Sequence, residues 1–371
     1  MIVPAGFSLW GAHSGVKKQA LDLGIIYCEG DFFRGVGSFT KNVNPAYSVV
    51  LSKKNINKPI KAVLVNSGNA NCFSHPRGLA DTTQIISQLA VKLGVKKDNI
   101  LIASTGIIGR RLPKEKVIAG FGLLLDNVSR KRGKQKEGID KFANSILTTD
   151  TFEKISYAKV NFGKKQINIL GIAKGSGMIC PDMATLLGFV MTDADVSAAD
   201  LKRILKTAVD DSFNSITVDG CMSTNDTVLL LSSKKVKLTK DELSGFSSGV
   251  KRVCLDLAKM MVKDAEGATK FVEIEVKGAA SVKEAKKGGL FIANSNLFKC
   301  ALYGANPNWG RIIGALGHAG IKVKDNVSIK FTPLEKREIK VTVDLKKGSF
   351  KHKVYTSDLT PAYVKINADY S

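Results

Sequence analysis

Residues 183–187 read Met-Ala-Thr-Leu-Leu, a small residue and a threonine placed directly after Pro181 and Asp182 and directly before an apolar run. A threonine hydroxyl can act as a nucleophile without a histidine when its own α-amine is free, because an amine with a reference pKa of about 7.7–8.0 takes the hydroxyl proton at neutral pH. Thr185 is internal, so it gains such an amine only if the Ala184–Thr185 bond is cut. Uncut, it reads as a β-branched strand residue. Four segments dense in glycine, asparagine and small polar residues surround this question: 66–71 (NSGNAN), 104–110 (STGIIGR), 174–185 (KGSGMICPDMAT) and 219–226 (DGCMSTND). Each follows or precedes an apolar run, where a rigid sheet can hold a loop and glycine lets a ligand approach the backbone. Any one of them could be ordinary turn chemistry; four in one chain favour a site.

Other chemistries find little support. Gly175, Ser176 and Gly177 do not extend to GxGxxG, no GxxxxGK[ST] occurs, and no GxSxG elbow is present, which disfavours nucleotide cradles and a serine triad. The histidines, His13, His75, His318 and His352, are scattered and form no HExxH. Cys28, Cys72, Cys180, Cys221, Cys254 and Cys300 are each more than thirty residues from the next, so they show no zinc-ligand spacing and fit a reduced, intracellular chain.

The elements that must position these loops follow from periodicity. Apolar runs at 62–65, 100–103, 189–191 and 228–231 predict buried strands. Helical spacing is clearest over 79–93, with Gly94 as its C-cap, and further helices are expected at 114–127, 198–213 and 250–263. Residues 271–276 and 339–345 alternate apolar and charged, the pattern of a sheet with one wet face. The mixture is α/β (mixed α+β) with an antiparallel component. The stretch 234–248, rich in lysine, serine and glycine, suggests a domain boundary near residue 240.

The chain has 371 residues, enough for one large or two ordinary domains, and carries 56 Lys plus Arg against 33 Asp plus Glu, a formal +23. Such a charge raises the prospect of a polyanionic partner. Only 10 of the 56 are arginine, however, and arginine is the residue that reads base edges with two parallel hydrogen bonds. The dense run Arg130, Lys131, Arg132, Lys134 and Lys136 lacks interleaved aromatics for stacking bases and reads as a solvated turn. No N-terminal signal pattern or bilayer-length apolar run is evident, which leads us to expect a cytoplasmic protein.

Taken together, KGSGMICPDMATLLGFVMTDA, DSFNSITVDGCMSTNDTVLLL, NSGNAN, STGIIG, NPNWGRIIGALGHAG and YVKINADY resemble ornithine acetyltransferase, also called glutamate N-acetyltransferase, from Gly6 to Tyr370. The resemblance implies a layered helix-sheet-sheet-helix autoproteolytic acyltransferase fold, with a main domain over 1–240 and a smaller α/β domain over 241–371 whose C-terminal segment returns to the active site. It implies a precursor that cuts itself between Ala184 and Thr185 into an α chain of 1–184 and a β chain that begins with the nucleophile. By motif, Thr105 and Gly106 would form the oxyanion hole, and Thr151, Lys174, Thr185, Glu266 and Asn367 would contact substrate. Acetyl would pass from N2-acetyl-L-ornithine to Thr185 and then to L-glutamate, a ping-pong transfer in arginine biosynthesis. No metal or cofactor is implied, and acetyl-CoA would enter only as a second acetyl donor. The implied assembly is α2β2, without nucleic acid or membrane. Cys180 and Cys221 stand where the family more often has Ala and Asp. Two alternatives stay open from the residues alone: an autoproteolytic amidase or aminopeptidase with water as acceptor, and a basic nucleic-acid-binding protein whose Gly-rich loops are structural.

Overall fold

The computed structural model describes residues 2–74, 76–130, 135–180 and 186–369. Their contacts divide them into two compact units. The described residues of Met1–Gly175, Thr185–Asp211 and Ser223–Leu257 form the first, and those of Ser176–Ala184, Ser212–Met222 and Ala258–Ser371 form the second.

The strands of the first unit are β1 (Phe7–Ala12), β2 (Leu23–Cys28), β3 (Arg34–Phe39), β4 (Ala62–Asn69), β5 (Ile100–Ile107), β6 (Lys154–Phe162), β7 (Lys165–Lys174), β8 (Leu187–Asp195) and β9 (Thr227–Lys237). They form two sheets, ordered β1-β2-β4-β5 and β3-β9-β8-β7-β6. The strands at the centre of each sheet are apolar on both faces because both faces are covered. Facing inward, Leu9, Ile26, Val63, Val65 and Leu101 of the first sheet share one core with Leu170, Ile172, Phe189, Met191 and Leu229 of the second. Facing outward, Ile25, Leu64 and Ile102 pack on Ile85, Ile86 and Leu89 of the helix Gly78–Leu93 and on Phe121 and Leu124 of the helix Phe121–Arg130. The helices Ala198–Asp210 and Leu243–Lys263 cover the outer face of the second sheet, which completes helix-sheet-sheet-helix layering. Each fully buried Leu, Ile or Phe contributes about 1.5–3 kcal/mol, so this double-sided burial is what gives the strand ends a rigid base.

Several expected elements differ in detail. The helix expected over 114–127 is two helices, Lys114–Ala119 and Phe121–Arg130. Gly120 lies at the break, where an added Cβ would come within 2.8 Å of Leu23. The helix expected to start at 250 starts at Leu243, inside the segment that suggests a domain boundary. Gly245 and Gly249 in this helix are close-packing residues. Cβ atoms at Gly245 and Gly249 would come within 2.8 Å of Phe162 and Ile169 respectively, and Phe246 is fully buried. Accordingly the first unit continues past residue 240 to Leu257.

In the second unit β10 (Phe271–Ala279), β11 (Ser328–Phe331), β12 (Glu338–Asp344) and β13 (Phe350–Ser357) form one sheet, ordered β11-β12-β10-β13. Val272, Ile274, Val276, Val341 and Val354 pack on Ile292, Phe298 and Leu316 of the helices Val282–Ala293, Asn296–Tyr303 and Gly310–His318. The charged residues that alternate with them pair on the opposite face, as in Lys353 with Glu273 at 2.8 Å, so the period-two reading of 271–276 and 339–345 holds. No described helix is long and apolar enough to cross a membrane.

Candidate active site

The parallel pair β4/β5 ends in two successive Gly-bearing motifs held in register, with Ser67 opposite Thr105 and Gly68 opposite Gly106. Both glycines have positive φ, +91° at Gly68 and +132° at Gly106. A Cβ at Gly106 would lie 2.3 Å from the Gly68 carbonyl carbon and 2.4 Å from the Asn69 nitrogen. Only glycine fits here, because the obstruction is backbone on both counts and the conformation excludes side chains. Side-chain amides fasten this strand end: Asn66 donates to the Asn69 carbonyl at 2.9 Å and accepts from the Ser104 hydroxyl at 2.7 Å. Asn225 Nδ2 donates to the carbonyls of Ala70 (2.6 Å) and Ser104 (2.8 Å), which ties in the 219–226 segment. The backbone of Thr105 and Gly106 is thus held on a frame that cannot easily relax, as an oxyanion hole requires. Gly106→Ala is expected to destabilise the protein by about 1–3 kcal/mol, the usual cost of a side chain held in a disfavoured backbone conformation; urea unfolding of wild type and variant checks this.

Next to Asn225, Asp226 accepts the Leu186 N–H through Oδ1 at 3.0 Å, and Thr227 N–H donates to the Leu186 carbonyl at 3.1 Å. The N-terminal ends of β8 and β9, paired in parallel at Leu187 and Thr227, therefore belong to the same hydrogen-bonded set as the Thr105–Gly106 frame. Burial pushes the Asp226 carboxyl well above the ordinary carboxylate range, against the weaker opposing pull of the Leu186 N–H, the Thr40 hydroxyl and Lys174.

Lys174 ends β7. Its Nζ donates to the Thr148 hydroxyl at 2.6 Å and lies 3.5 Å from Asp150 Oδ2. Asp150 also takes Lys154 Nζ at 2.7 Å, the Gly175 N–H at 2.6 Å and the Thr148 N–H at 3.0 Å. Burial by itself would raise the Asp150 carboxyl, but Lys174 and Lys154 outweigh it and hold the group well below the usual carboxylate range. Lys154 and Asp150 are both fully buried. One carboxylate thus anchors two ammonium groups and the start of the 174–180 loop. Near the Gly68 turn a third lysine, Lys17, donates to the carbonyls of Leu21 (2.9 Å) and Leu147 (2.7 Å), and burial brings its ammonium down to about 8.

The second unit contains another cluster. Asn367 Nδ2, on the helix Pro361–Asp369, donates to Glu266 Oε2 at 3.0 Å. Glu266 N–H bonds the Ser176 carbonyl at 3.0 Å, and a Cβ at Gly177 would fall 2.4–2.6 Å from the Glu266 carboxylate, so glycine lets the loop lie against that acid. The Met178 and Ile179 N–H groups both donate to the Asp219 carboxylate, at 2.6 and 3.0 Å. The Ile179 carbonyl accepts from Val218 N–H and from the Thr217 hydroxyl, at 2.9 and 3.0 Å. Lys299 is buried and its Nζ donates to the Val218 carbonyl; burial lowers its ammonium to about 8.

Among the residues expected from sequence, Thr105 and Gly106 share one strand end, Lys174 stands on Asp150 and Thr148, and Glu266 and Asn367 touch each other. Thr151 is exposed, three residues along from the threonine that Lys174 holds. Ala184 and Thr185 lie outside the described residues. Asp150, Lys154, Asp219, Asp226 and Lys299 were not singled out as site residues by sequence reasoning. Asp219 and Asp226 did fall within a flagged motif, whereas a lone aspartate in TTDTF and a lysine in an apolar helix carry no local mark. No group of three or more described His, Cys, Asp or Glu residues could hold a metal ion.

The first unit thus presents a rigid backbone frame and two buried lysines held on one carboxylate, and the second unit presents an acid–amide pair. The comparison with known proteins is specific: the ArgJ family profile matches residues 8–335 and 330–371, and the chain belongs to the ArgJ family of acyltransferases. It is 39% identical over 98% of its length, and 94% of the relative's, to the arginine biosynthesis bifunctional protein ArgJ of Shouchella clausii. It is also 37% identical over 99% of its length, and 97% of the relative's, to the glutamate N-acetyltransferase of Methanocaldococcus jannaschii. A crystal structure of the arginine biosynthesis bifunctional protein argJ from Bacillus halodurans aligns at 37% identity over 49% of this chain and 98% of that one, with a TM-score of 0.47.

Proposed function

We propose that this chain cuts itself between Ala184 and Thr185 and then carries acetyl from N2-acetyl-L-ornithine to L-glutamate on the Thr185 oxygen, in arginine biosynthesis. In maturation the Thr185 hydroxyl attacks the Ala184 carbonyl and the carbon–nitrogen bond breaks, which frees the α-amine that afterwards serves as base; water then hydrolyses the ester and separates the two chains. In turnover the Thr185 oxygen attacks the acetyl carbonyl, ornithine leaves as the free amine, and glutamate's amine takes the acetyl group from the ester. Thr105 and Gly106 are assigned to the oxyanion of each tetrahedral intermediate, worth about 2.7–4 kcal/mol per donor. Lys174 and Glu266 are assigned to the carboxylate and ammonium of the amino acid, with Asn367 and Thr151 beside them. No cofactor takes part, acetyl-CoA is an alternative acetyl donor, and the two fragments assemble as α2β2.

The observation that supports this reading is the single hydrogen-bonded set joining the Thr105–Gly106 frame, through Asn225 and Asp226, to the backbone N–H of Leu186, the residue that follows Thr185. The frame assigned to the oxyanion and the residue that follows Thr185 in sequence thus share one set of bonds. The test is product balance with purified protein, N2-acetyl-L-ornithine and L-glutamate. The account requires ornithine and N-acetylglutamate in equal amounts. Acetate in place of N-acetylglutamate would instead establish an amidase with water as acceptor.

A further inference from the structure

Lys17 spans two parts of the first unit, the Thr105–Gly106 frame and the Lys174 hub. Its stem runs beside the Gly68 turn: a Cβ at Gly68 would fall 2.9 Å from Lys17 Cγ, and Gly68 is paired with Gly106. Its ammonium reaches the other part. Lys17 Nζ donates to the Leu147 carbonyl at 2.7 Å, while Lys174 Nζ donates to the hydroxyl of the next residue, Thr148, at 2.6 Å. Two cations therefore stand on successive residues.

Their surroundings leave positive charge uncompensated. Lys17, Lys154 and Lys174 bring three ammonium groups to two carboxylates, Asp150 and Asp22. Asp22 already accepts from the N–H groups of Ser14, Gly15 and Lys17 and from the Ser14 hydroxyl, at 2.6–3.0 Å. Lys154 and Lys174 are buried, whereas Lys17 is half-buried and can meet a small ligand. An ammonium has three N–H donors, and among the described residues Lys17 Nζ has two acceptors, the Leu21 and Leu147 carbonyls. One donor is left. Burial, aided by Lys174 and opposed by Asp22 and Asp150, brings that ammonium down to about 8, a shift that an anion beside it would reverse.

We propose that Lys17 binds the α-carboxylate of the amino-acid substrate, beside Lys174. This role rests on the acetyl-transfer reading above. N2-acetyl-L-ornithine and L-glutamate must use one site in turn, and their side chains end in opposite charges. The α-carboxylate is the anionic group that both share, so a fixed pair of cations suits that end.

The test compares N2-acetyl-L-ornithine with its α-carboxamide as acetyl donor to L-glutamate, in wild type, Lys17→Met and Lys17→Arg. Methionine keeps a stem beside Gly68 and removes the charge. Wild type should prefer the acid in kcat/KM. Lys17→Met should cut that preference by about 10–100-fold, the scale of a hydrogen bond to a charged group, chiefly by raising KM for the acid. Lys17→Arg, which restores a cation, should recover part of the preference. A purely structural role through Leu21 and Leu147 would weaken both donors alike, so an equal loss on acid and amide, or no loss, overturns the proposal. If Lys17→Met fails to fold, as judged by near-ultraviolet circular dichroism, the wild-type protein decides. Cyanate labelling of Lys17 near that ammonium's pKa, read by peptide mass spectrometry, should be suppressed by L-ornithine and not by L-ornithinamide. Equal protection by both, or by neither, contradicts the role. A wild-type protein that forms no N-acetylglutamate would overturn the acetyl-transfer reading itself, and this role with it, a separate result.

Discussion

A Thr185→Ala chain should accumulate as one uncut polypeptide of about 39.9 kDa, folded, and slower in acetyl transfer by about 10⁴-fold or more, the scale on which removal of an acyl-transfer nucleophile is felt. Two losses combine in this variant. The hydroxyl that attacks the Ala184 carbonyl is gone, so the α-amine is never released. The same hydroxyl is also the acetyl acceptor in turnover, so supplying the two halves as separate chains would not rescue activity. Denaturing electrophoresis and a transfer assay read both losses. The fold should survive, because Leu186 and Thr227 are held by backbone hydrogen bonds and by Asp226.

The second large effect is on stability. Asp150→Ala is expected to destabilise the protein by about 3–5 kcal/mol at neutral pH, the usual loss when one member of a buried ion pair is removed. Lys154, fully buried, and Lys174 would both lose the carboxylate that neutralises them, and the Gly175 and Thr148 N–H groups would lose their acceptor. Acid should shrink the difference. The Asp150 carboxyl is depressed in the folded state, so its contribution is full above the unfolded carboxylate pKa of about 3.9 and is lost as pH falls below that value towards the folded one. Urea unfolding of wild type and variant at pH 7 and pH 3 gives both numbers. Equal stability at pH 7 would mean the two lysines are solvated in the native state.

Legibility in the sequence tracked the range of the interaction. The helix 79–93 and its left-handed Gly94 cap depend on neighbours three and four residues apart, and Gly94 has φ +65° as expected. The strands in 62–65, 100–103, 189–191 and 228–231 were readable because burial on both faces leaves no polar interruption. The glycines in and beside 234–248 are ambiguous in sequence, because one that brings a helix close to a sheet has the same letter as one at a domain boundary; only Phe162 and Ile169, distant in sequence, distinguish them. At the site, the Gly68–Gly106 contact could be suspected from two Gly-rich motifs after two apolar runs. The Asp150 hub could not, since Lys174 is remote from it in sequence and, apart from Lys154, its other partners are backbone N–H groups. Asp226 was visible as the last residue of a flagged motif, but its acidity is set by enclosure, which no local pattern records. The +23 charge, the most conspicuous property of the composition, led away from the site: many of its lysines pair with surface acids, as Lys340, Lys353 and Lys263 do with Glu275, Glu273 and Glu338.

The most direct measurement of the central claim is the intact mass of the purified protein after incubation with N2-acetyl-L-ornithine and no glutamate. The account predicts two fragments meeting at Ala184/Thr185, with the mass of one acetyl group added to the fragment that begins at Thr185 and removed again when L-glutamate is supplied. An uncut chain, or fragments that turn over substrate while never carrying the acetyl group, would contradict it.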